Sequence, residues 1–179
     1  VTTLNLNPDQ PMHNRCGTCT KCIDCCPTDA ITAPNKMDPR RCISYFTIEH
    51  KGSIPSEFRE SIGDRVFGCD ECLEVCPWNR FAKASKEAKF ATREFVGMSL
   101  IQFLGLNEND FMSLFRKSPV KRLGRERFLR NVCIAIGNSG KEKDIPHLRK
   151  VIAEESEMIK EHAKWAIDAI NSRSSLVHN

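Results

Sequence analysis

No apolar run in this 179-residue sequence reaches the roughly 20 residues that a membrane-spanning helix needs. A transmembrane helix is therefore excluded. The opening residues, Val1 to Pro8, contain neither a basic segment nor an apolar one, so no secretory signal is present in them. An initiator methionine is missing as well. The chain starts instead in Thr2-Thr3-Leu4-Asn5-Leu6, a weakly alternating pattern that predicts an edge strand until Pro8 and Pro11 stop it. Such a beginning predicts a fragment of a longer protein. Acidic residues are scarce in one place: Glu126 is the only one from Arg116 to Arg130, against seven lysines and arginines. Beyond about residue 81 there is no array of cysteines, and Cys133 stands alone.

What the chain does have is cysteine in its first half. Nine of the ten cysteines lie within the 61 residues from Cys16 to Cys76. Without a secretory signal, that number argues for metal or redox work in a reducing compartment, here the cytoplasm, rather than for disulfides. The first array is Cys16-x2-Cys19-x2-Cys22-x3-Cys26-Pro27, the spacing of a bacterial ferredoxin loop around a 4Fe–4S cube. The second is Cys42, then Cys69-x2-Cys72-x3-Cys76-Pro77. Three cysteines two residues apart let one tight loop reach three irons. In two-cluster ferredoxins the cysteine before proline serves the other cube. That exchange gives Cys16, Cys19, Cys22 and Cys76 to the first cluster, and Cys26, Cys42, Cys69 and Cys72 to the second. Cys25 lies x2 from Cys22 and competes with Cys26; the following Pro27 favours Cys26. Zinc is the alternative for any C-x2-C pair, but zinc sites have no use for nine cysteines in this pattern. The second array is stretched, with 26 residues between Cys42 and Cys69. That excursion hangs between two ligands of one cluster, where it is placed to meet whatever the cluster reduces.

The coarse reading along the chain is α+β, mostly α: a dicluster ferredoxin-like module followed by a HEAT-like helical domain. Residues 1–15 read as a linker or the end of a preceding domain, 16–80 as the two-cluster domain, and 81–179 as the helical one. Ala30-Ile31-Thr32 predicts a short strand and Pro34-Asn35-Lys36 a turn. Asp38-Pro39 reads as an N-cap and first position, predicting a helix over Arg40 to His50. Later helices follow from the apolar spacing of Leu100 to Leu104, of Phe111, Leu114 and Phe115, and of Phe128 to Ile136. Asp144 caps one further helix and Ser156 the last, with the final eight residues frayed. Helix pairs on short turns suggest HEAT repeats. Cys133, among apolar neighbours, predicts a core residue.

Charge is uneven. Residues 1–80 carry 9 basic and 11 acidic residues, whereas 81–179 carry 18 and 12. Like charges four apart on a helix, as Lys117 with Lys121 and Lys121 with Arg125, cost a few tenths of a kcal/mol each (~0.2–0.5). A solvated helix face is the bland explanation. An unbalanced cluster points to an anionic partner, with phosphate backbone the obvious candidate.

Together these stretches resemble epoxyqueuosine reductase, an enzyme of queuosine formation in tRNA. The likeness is carried by Cys16 to Ile31, by Arg41-Cys42-Ile43-Ser44-Tyr45, and by Ile62-Gly63-Asp64-Arg65-Val66-Phe67-Gly68-Cys69-Asp70. It continues through Cys76-Pro77-Trp78-Asn79, Ser118-Pro119-Val120-Lys121-Arg122, Phe128-Leu129-Arg130-Asn131-Val132 and His162-Ala163-Lys164-Trp165-Ala166. The resemblance implies a C-terminal half lacking the cobalamin-binding domain. In the family, the clusters pass electrons to cobalamin, which deoxygenates the epoxide at the tRNA wobble base. No catalytic acid carries over, because no residue here matches its motif, and the chain alone is expected to be inactive. The resemblance also implies that Ser44, Cys69, Asp70, Glu71 and Cys72 face cobalamin. It puts Lys51, Lys121, Arg122, Arg125 and Arg130 against the anticodon stem–loop. An external electron donor and a monomeric state complete the expectation. The competing functions are a non-catalytic dicluster ferredoxin with a helical docking domain, or part of another corrinoid-linked reductase.

Overall fold

The computed structural model describes residues 2–86 and 95–177. Residues 2–15 are exposed and carry no strand, so the edge-strand pattern at Thr2 to Leu6 finds no partner to pair with. Two short helices then repeat one design. Helix α1 (Lys21–Asp24) starts two residues after Cys19 and contains Cys22; helix α3 (Glu71–Glu74) starts two after Cys69 and contains Cys72. The two pack against each other. The only sheet among the described residues is a hairpin, β1 (Ile31–Ala33) against β2 (Lys36–Met37), with Ile31 opposite Met37. Asn35 takes the left-handed turn position at φ 60°.

The expected helix over Arg40 to His50 is broken in two. Asp38 caps a 3-10 turn, Pro39–Arg41, by accepting the Arg40 amide at 3.0 Å. Cys42 is then extended (φ −73°, ψ 128°), and a π-helical turn follows at Tyr45–Glu49. The break leaves Cys42 outside either helical turn. The π turn leaves its last carbonyls open, and a helix end so exposed needs outside donors. Helix α2 (Ser56–Ile62) follows and stops at Gly63.

The second half is helical. Helices α4 (Leu100–Leu104), α5 (Glu108–Leu114) and α6 (Val120–Leu123) surround the long α7 (Arg125–Ser139). Helices α8 (Ile145–Glu154) and α9 (Glu157–Val177) follow. Ser99 and Asn107 cap α4 and α5 through the amides of Gln102 and Asp110. The packing of α7 on α9 is close enough to require glycine. A Cβ at Gly137 would clash with Cζ3 and Cε3 of the Trp165 ring and come within 3.0 Å of the Ala166 Cα. Helix α7 ends just beyond Gly137, at Ser139, with Gly140 as its C-cap. The end of α9 does not fray over the described residues; Arg173 reaches back to the carbonyls of Gly137 and Gly140.

Two buried apolar clusters form. The larger unites α4 to α9, from Leu104 and Phe111 through Leu129, Val132 and Cys133 to Ile170. The smaller joins Ile43, Phe46, Ile54 and Ile62 of the Cys42–Cys69 excursion to Ile134 of α7. The excursion therefore has its core in common with the helical half.

Candidate iron–sulfur and nucleic-acid site

The cysteines gather into two sets. Cys16, Cys19, Cys22 and Cys76 line one cavity with Arg15, Lys21, Pro77 and Trp78, about 580 Å³ of empty space with its open mouth included. Cys26, Cys42, Cys69 and Cys72 line another, about 360 Å³, with Thr28, Ala30, Ile31, Met37, Ile43 and Glu71 among its walls. Among the described residues, no three Cys, His, Asp or Glu side chains converge as ligands of a single ion. Each thiol set instead surrounds a void, the arrangement that suits a cube with a thiolate at each corner. All ten cysteines are free thiols.

Cys25 and Cys26 are set apart by their surroundings. Cys26 Sγ accepts the Ala30 amide at 3.2 Å and lies 3.9 Å from the Thr28 hydroxyl. Burial works to raise the Cys26 thiol, but hydrogen bonds from the backbone of Thr28, Ile31 and Ala30 and from the Thr28 hydroxyl outweigh it and bring the pKa down. Cys25 lines neither cavity. Its Sγ lies 3.6 Å from the Cys22 carbonyl, and burial followed by the charge of Cys26 pushes its pKa up. Cys133 is wholly buried, and burial drives its pKa up to about 12.

Ser44 is half-buried, and its hydroxyl is committed to Cys69. It accepts the Cys69 amide at 3.0 Å and donates to the Cys69 carbonyl at 3.2 Å. It holds a thiol-bearing loop, which leaves it no free donor for a corrin. Glu71 is paired with Arg65, whose other nitrogen donates to the Ile62 carbonyl at 3.0 Å. Asp70 is exposed.

The basic stretch splits into two roles. Lys51, Arg116, Lys121 and Arg122 are exposed. Arg122 reaches Glu49 at 3.1 Å across open surface, a pair of little strength. Lys51 shares a shallow depression with Glu108, Gly124, Arg125, Glu126 and Arg127, so the excursion and the basic turn meet on one face. Gly124 makes that turn at φ 82°, where a side chain would be strained.

Two expected contacts of this face turn inward. Arg125 forms a paired interaction with Glu155 and donates to the Leu106 carbonyl at 2.6 Å. The Arg125 hydrogen bond holds the Glu155 carboxyl below its usual range. Arg130 is fully buried and cannot touch a nucleic acid. It donates to the carbonyls of Phe46, His50 and Gly52 at 2.8, 2.9 and 2.6 Å and to Asn131 Oδ1. Burial, then the nearby Arg127, lowers its pKa to about 10, so it stays charged at neutral pH. The physical reason differs between the two: Arg125 is drawn in by the Glu155 carboxylate and the Leu106 carbonyl, whereas Arg130 answers the open end of the π turn, which needs outside donors. Arg127 joins in, reaching the Ile48 and Glu49 carbonyls at 3.3 Å.

Sequence reasoning missed this use of the basic residues, and it missed Asn131. A signal existed: Arg130 and Asn131 interrupt an otherwise apolar helical face, where buried polar side chains imply waiting partners. Trp78, exposed and tilted against Phe81 with ring centroids 5.6 Å apart, lines the first cavity and was also overlooked as a site residue.

The two four-thiol cavities suit a double 4Fe–4S module, and residues 15–79 match the family model for the 4Fe-4S double cluster binding domain. Nearly the whole chain is homologous to epoxyqueuosine reductases. It is 43% identical over 166 residues to the one from Xanthomonas campestris, covering 92% of this chain and 47% of that protein. It is 45% identical over 156 residues to the one from Pseudomonas aeruginosa, with coverages of 85% and 43%. The structure of epoxyqueuosine reductase from Bacillus subtilis superposes with a TM-score of 0.83 at 32% identity, over 92% of this chain and 45% of that one. A crystal structure of epoxyqueuosine reductase with an epoxyqueuosine-modified tRNA-Tyr stem loop gives 0.81 at 31%, over 92% and 44%. The chain spans about half the length of the curated relatives it matches. No helix among the described residues is long and apolar enough to cross a membrane.

Proposed function

We propose that this chain is the electron-transfer and tRNA-holding portion of an epoxyqueuosine reductase, which reduces epoxyqueuosine to queuosine at the tRNA wobble position. The observation that carries the reading is the sorting of eight cysteines into two four-thiol cavities, joined to a chain-long homology with that enzyme. Two 4Fe–4S clusters bound there would store and pass single electrons. Cys16, Cys19, Cys22 and Cys76 hold the first, and Cys26, Cys42, Cys69 and Cys72 the second. The chain's own residues supply the setting: amides at Ala30 and neighbouring residues favour the Cys26 thiolate, and Ser44 fixes the Cys69 backbone.

Lys51, Lys121 and Arg122 form the phosphate-binding face, in a helical part of HEAT-like kind. Cobalamin belongs to the remainder of the enzyme; of the residues implied to face it, exposed Asp70 keeps an unspent side chain next to Cys69. An external donor provides the electrons, and the work takes place in the cytoplasm, where tRNA is modified.

The test is binding of an anticodon stem–loop to the full 179-residue chain across a salt series. The triple variant Lys51→Glu, Lys121→Glu, Arg122→Glu should bind at least about tenfold more weakly, with a slope of log K against log salt shallower by about 2. A wild-type chain with no salt-sensitive RNA binding would refute the tRNA-holding role and favour a ferredoxin with a protein-docking domain.

A further inference from the structure

The excursion between Cys42 and Cys69 ends in two limbs that must stand at one fixed separation if both thiols are to serve one cube. The loop does not set that separation by itself. A side chain of α7, outside the cysteine region, lies between the limbs. Asn131 is fully buried, and its Nδ2 donates to the Thr47 carbonyl at 2.8 Å and to the Val66 carbonyl at 2.9 Å. One limb is thus gripped five residues after Cys42 and the other three residues before Cys69. Its Oδ1 accepts twice from Arg130, at 3.0 and 2.9 Å, which fixes the amide's orientation. A planar amide with both protons spent on opposite limbs acts as a spacer of set length.

A second tie repeats the first closer to the thiols. Thr47 Oγ1 donates to the Ile43 carbonyl at 2.8 Å and accepts the Gly68 amide at 3.0 Å. Ile43 and Gly68 are the residues adjoining Cys42 and Cys69. The path Asn131, Thr47, Gly68 is continuous, and Asn131 and Thr47 are both fully buried.

We propose that Asn131, acting through Thr47, is a positioning residue that sets the Cys42–Cys69 separation and so tunes the second cluster alone. This rests on the two-cluster reading above. It assigns to the helical half a part in the redox site that the cysteine spacing does not contain. Neither side chain lines the second cavity, and their hydrogen bonds go to backbone and to Arg130.

The experiment uses the intact chain, reconstituted anaerobically, with electron paramagnetic resonance and a potentiometric titration of each cluster. Thr47→Val removes the hydroxyl while keeping the volume, and Thr47→Ser restores it. Asn131→Ala removes the spacer. Asn138→Ala is the control, since Asn138 ties the excursion at Arg59 and Gly63, farther from the cysteines, at 2.8 Å each. Thr47→Val and Asn131→Ala should shift or abolish one of the two reduced-cluster signals and leave the other in place, with Thr47→Ser near wild type. Asn138→Ala should lower the melting temperature without moving either signal. Should Asn131→Ala fail to fold, Thr47→Val alone carries the decision. Unchanged signals in Thr47→Val, or both signals moving equally, would overturn the proposal. A wild-type chain that shows no iron–sulfur signal would instead overturn the two-cluster reading.

Discussion

Replacing Arg130 by alanine removes five hydrogen bonds and strands four acceptors: the carbonyls of Phe46, His50 and Gly52, and Asn131 Oδ1. A buried acceptor left alone costs about 1–3 kcal/mol. Water can enter near exposed Gly52 and half-buried His50, so those two lose less than Phe46 and Asn131. Relief from burying a charge works the other way, since burial already pulls this guanidinium down to about 10. The balance is a loss of about 3 kcal/mol. In urea unfolding of the intact chain, with a slope of about 2 kcal/mol/M, the midpoint should fall by about 1.5 M. Arg130→Met keeps most of the length without donors and should fall nearly as far. Arg130→Lys should recover only part, because one ammonium cannot serve carbonyls that a planar fork reaches from several sides. A fall below about 0.3 M for alanine would refute the reasoning that these bonds join the halves. Full rescue by methionine would show that packing, not hydrogen bonding, was lost.

Gly137→Ala should destabilise by about 2 kcal/mol in the same assay, because its methyl would be driven into the Trp165 ring where α7 crosses α9. His162 should make stability pH-dependent: burial, foremost, holds it to about 4 when folded, while the Ile54 amide donates to its Nε2 at 3.1 Å. Since the unfolded chain takes up this proton near pH 6.5, stability should be intact above that pH and fall by roughly 3 kcal/mol down to about pH 4. His162→Gln should flatten that part of the wild-type profile in paired melts. Cys25→Ala should keep the full iron content, and Cys26→Ala should lose about half of it, by colorimetric iron assay on reconstituted protein.

The sequence made the thiol sets legible because ligand spacing is a local geometric demand, met by short loops such as Cys16 to Cys26. Helices α7 to α9 were legible through their apolar spacing. What escaped was long-range. Nothing local to Tyr45–Glu49 announces a π turn; its open carbonyls are stable only because Arg127, Arg130 and Asn131, some eighty residues on, satisfy them. Charge counting put Arg130 on the surface, since composition cannot tell a cation aimed at solvent from one aimed at carbonyls. The expected strand at Thr2 to Leu6 failed for the complementary reason: alternation favours a strand only where an edge exists to receive it.

The ties that fix Cys42 and Cys69 are made by carbonyls, amides and side chains that never touch metal, and their consequence concerns assembly. On the proposed reading, a folded helical half would set the gap between these two thiols independently of iron. Maturation of the second site is then insertion into a finished socket. Cys16 and Cys19, by contrast, are exposed on a short loop held by the Cys19 amide on the Cys16 carbonyl at 3.1 Å. If both thiol sets hold cubes as proposed, the cube at Cys42 and Cys69 should be the last to leave when iron is stripped away.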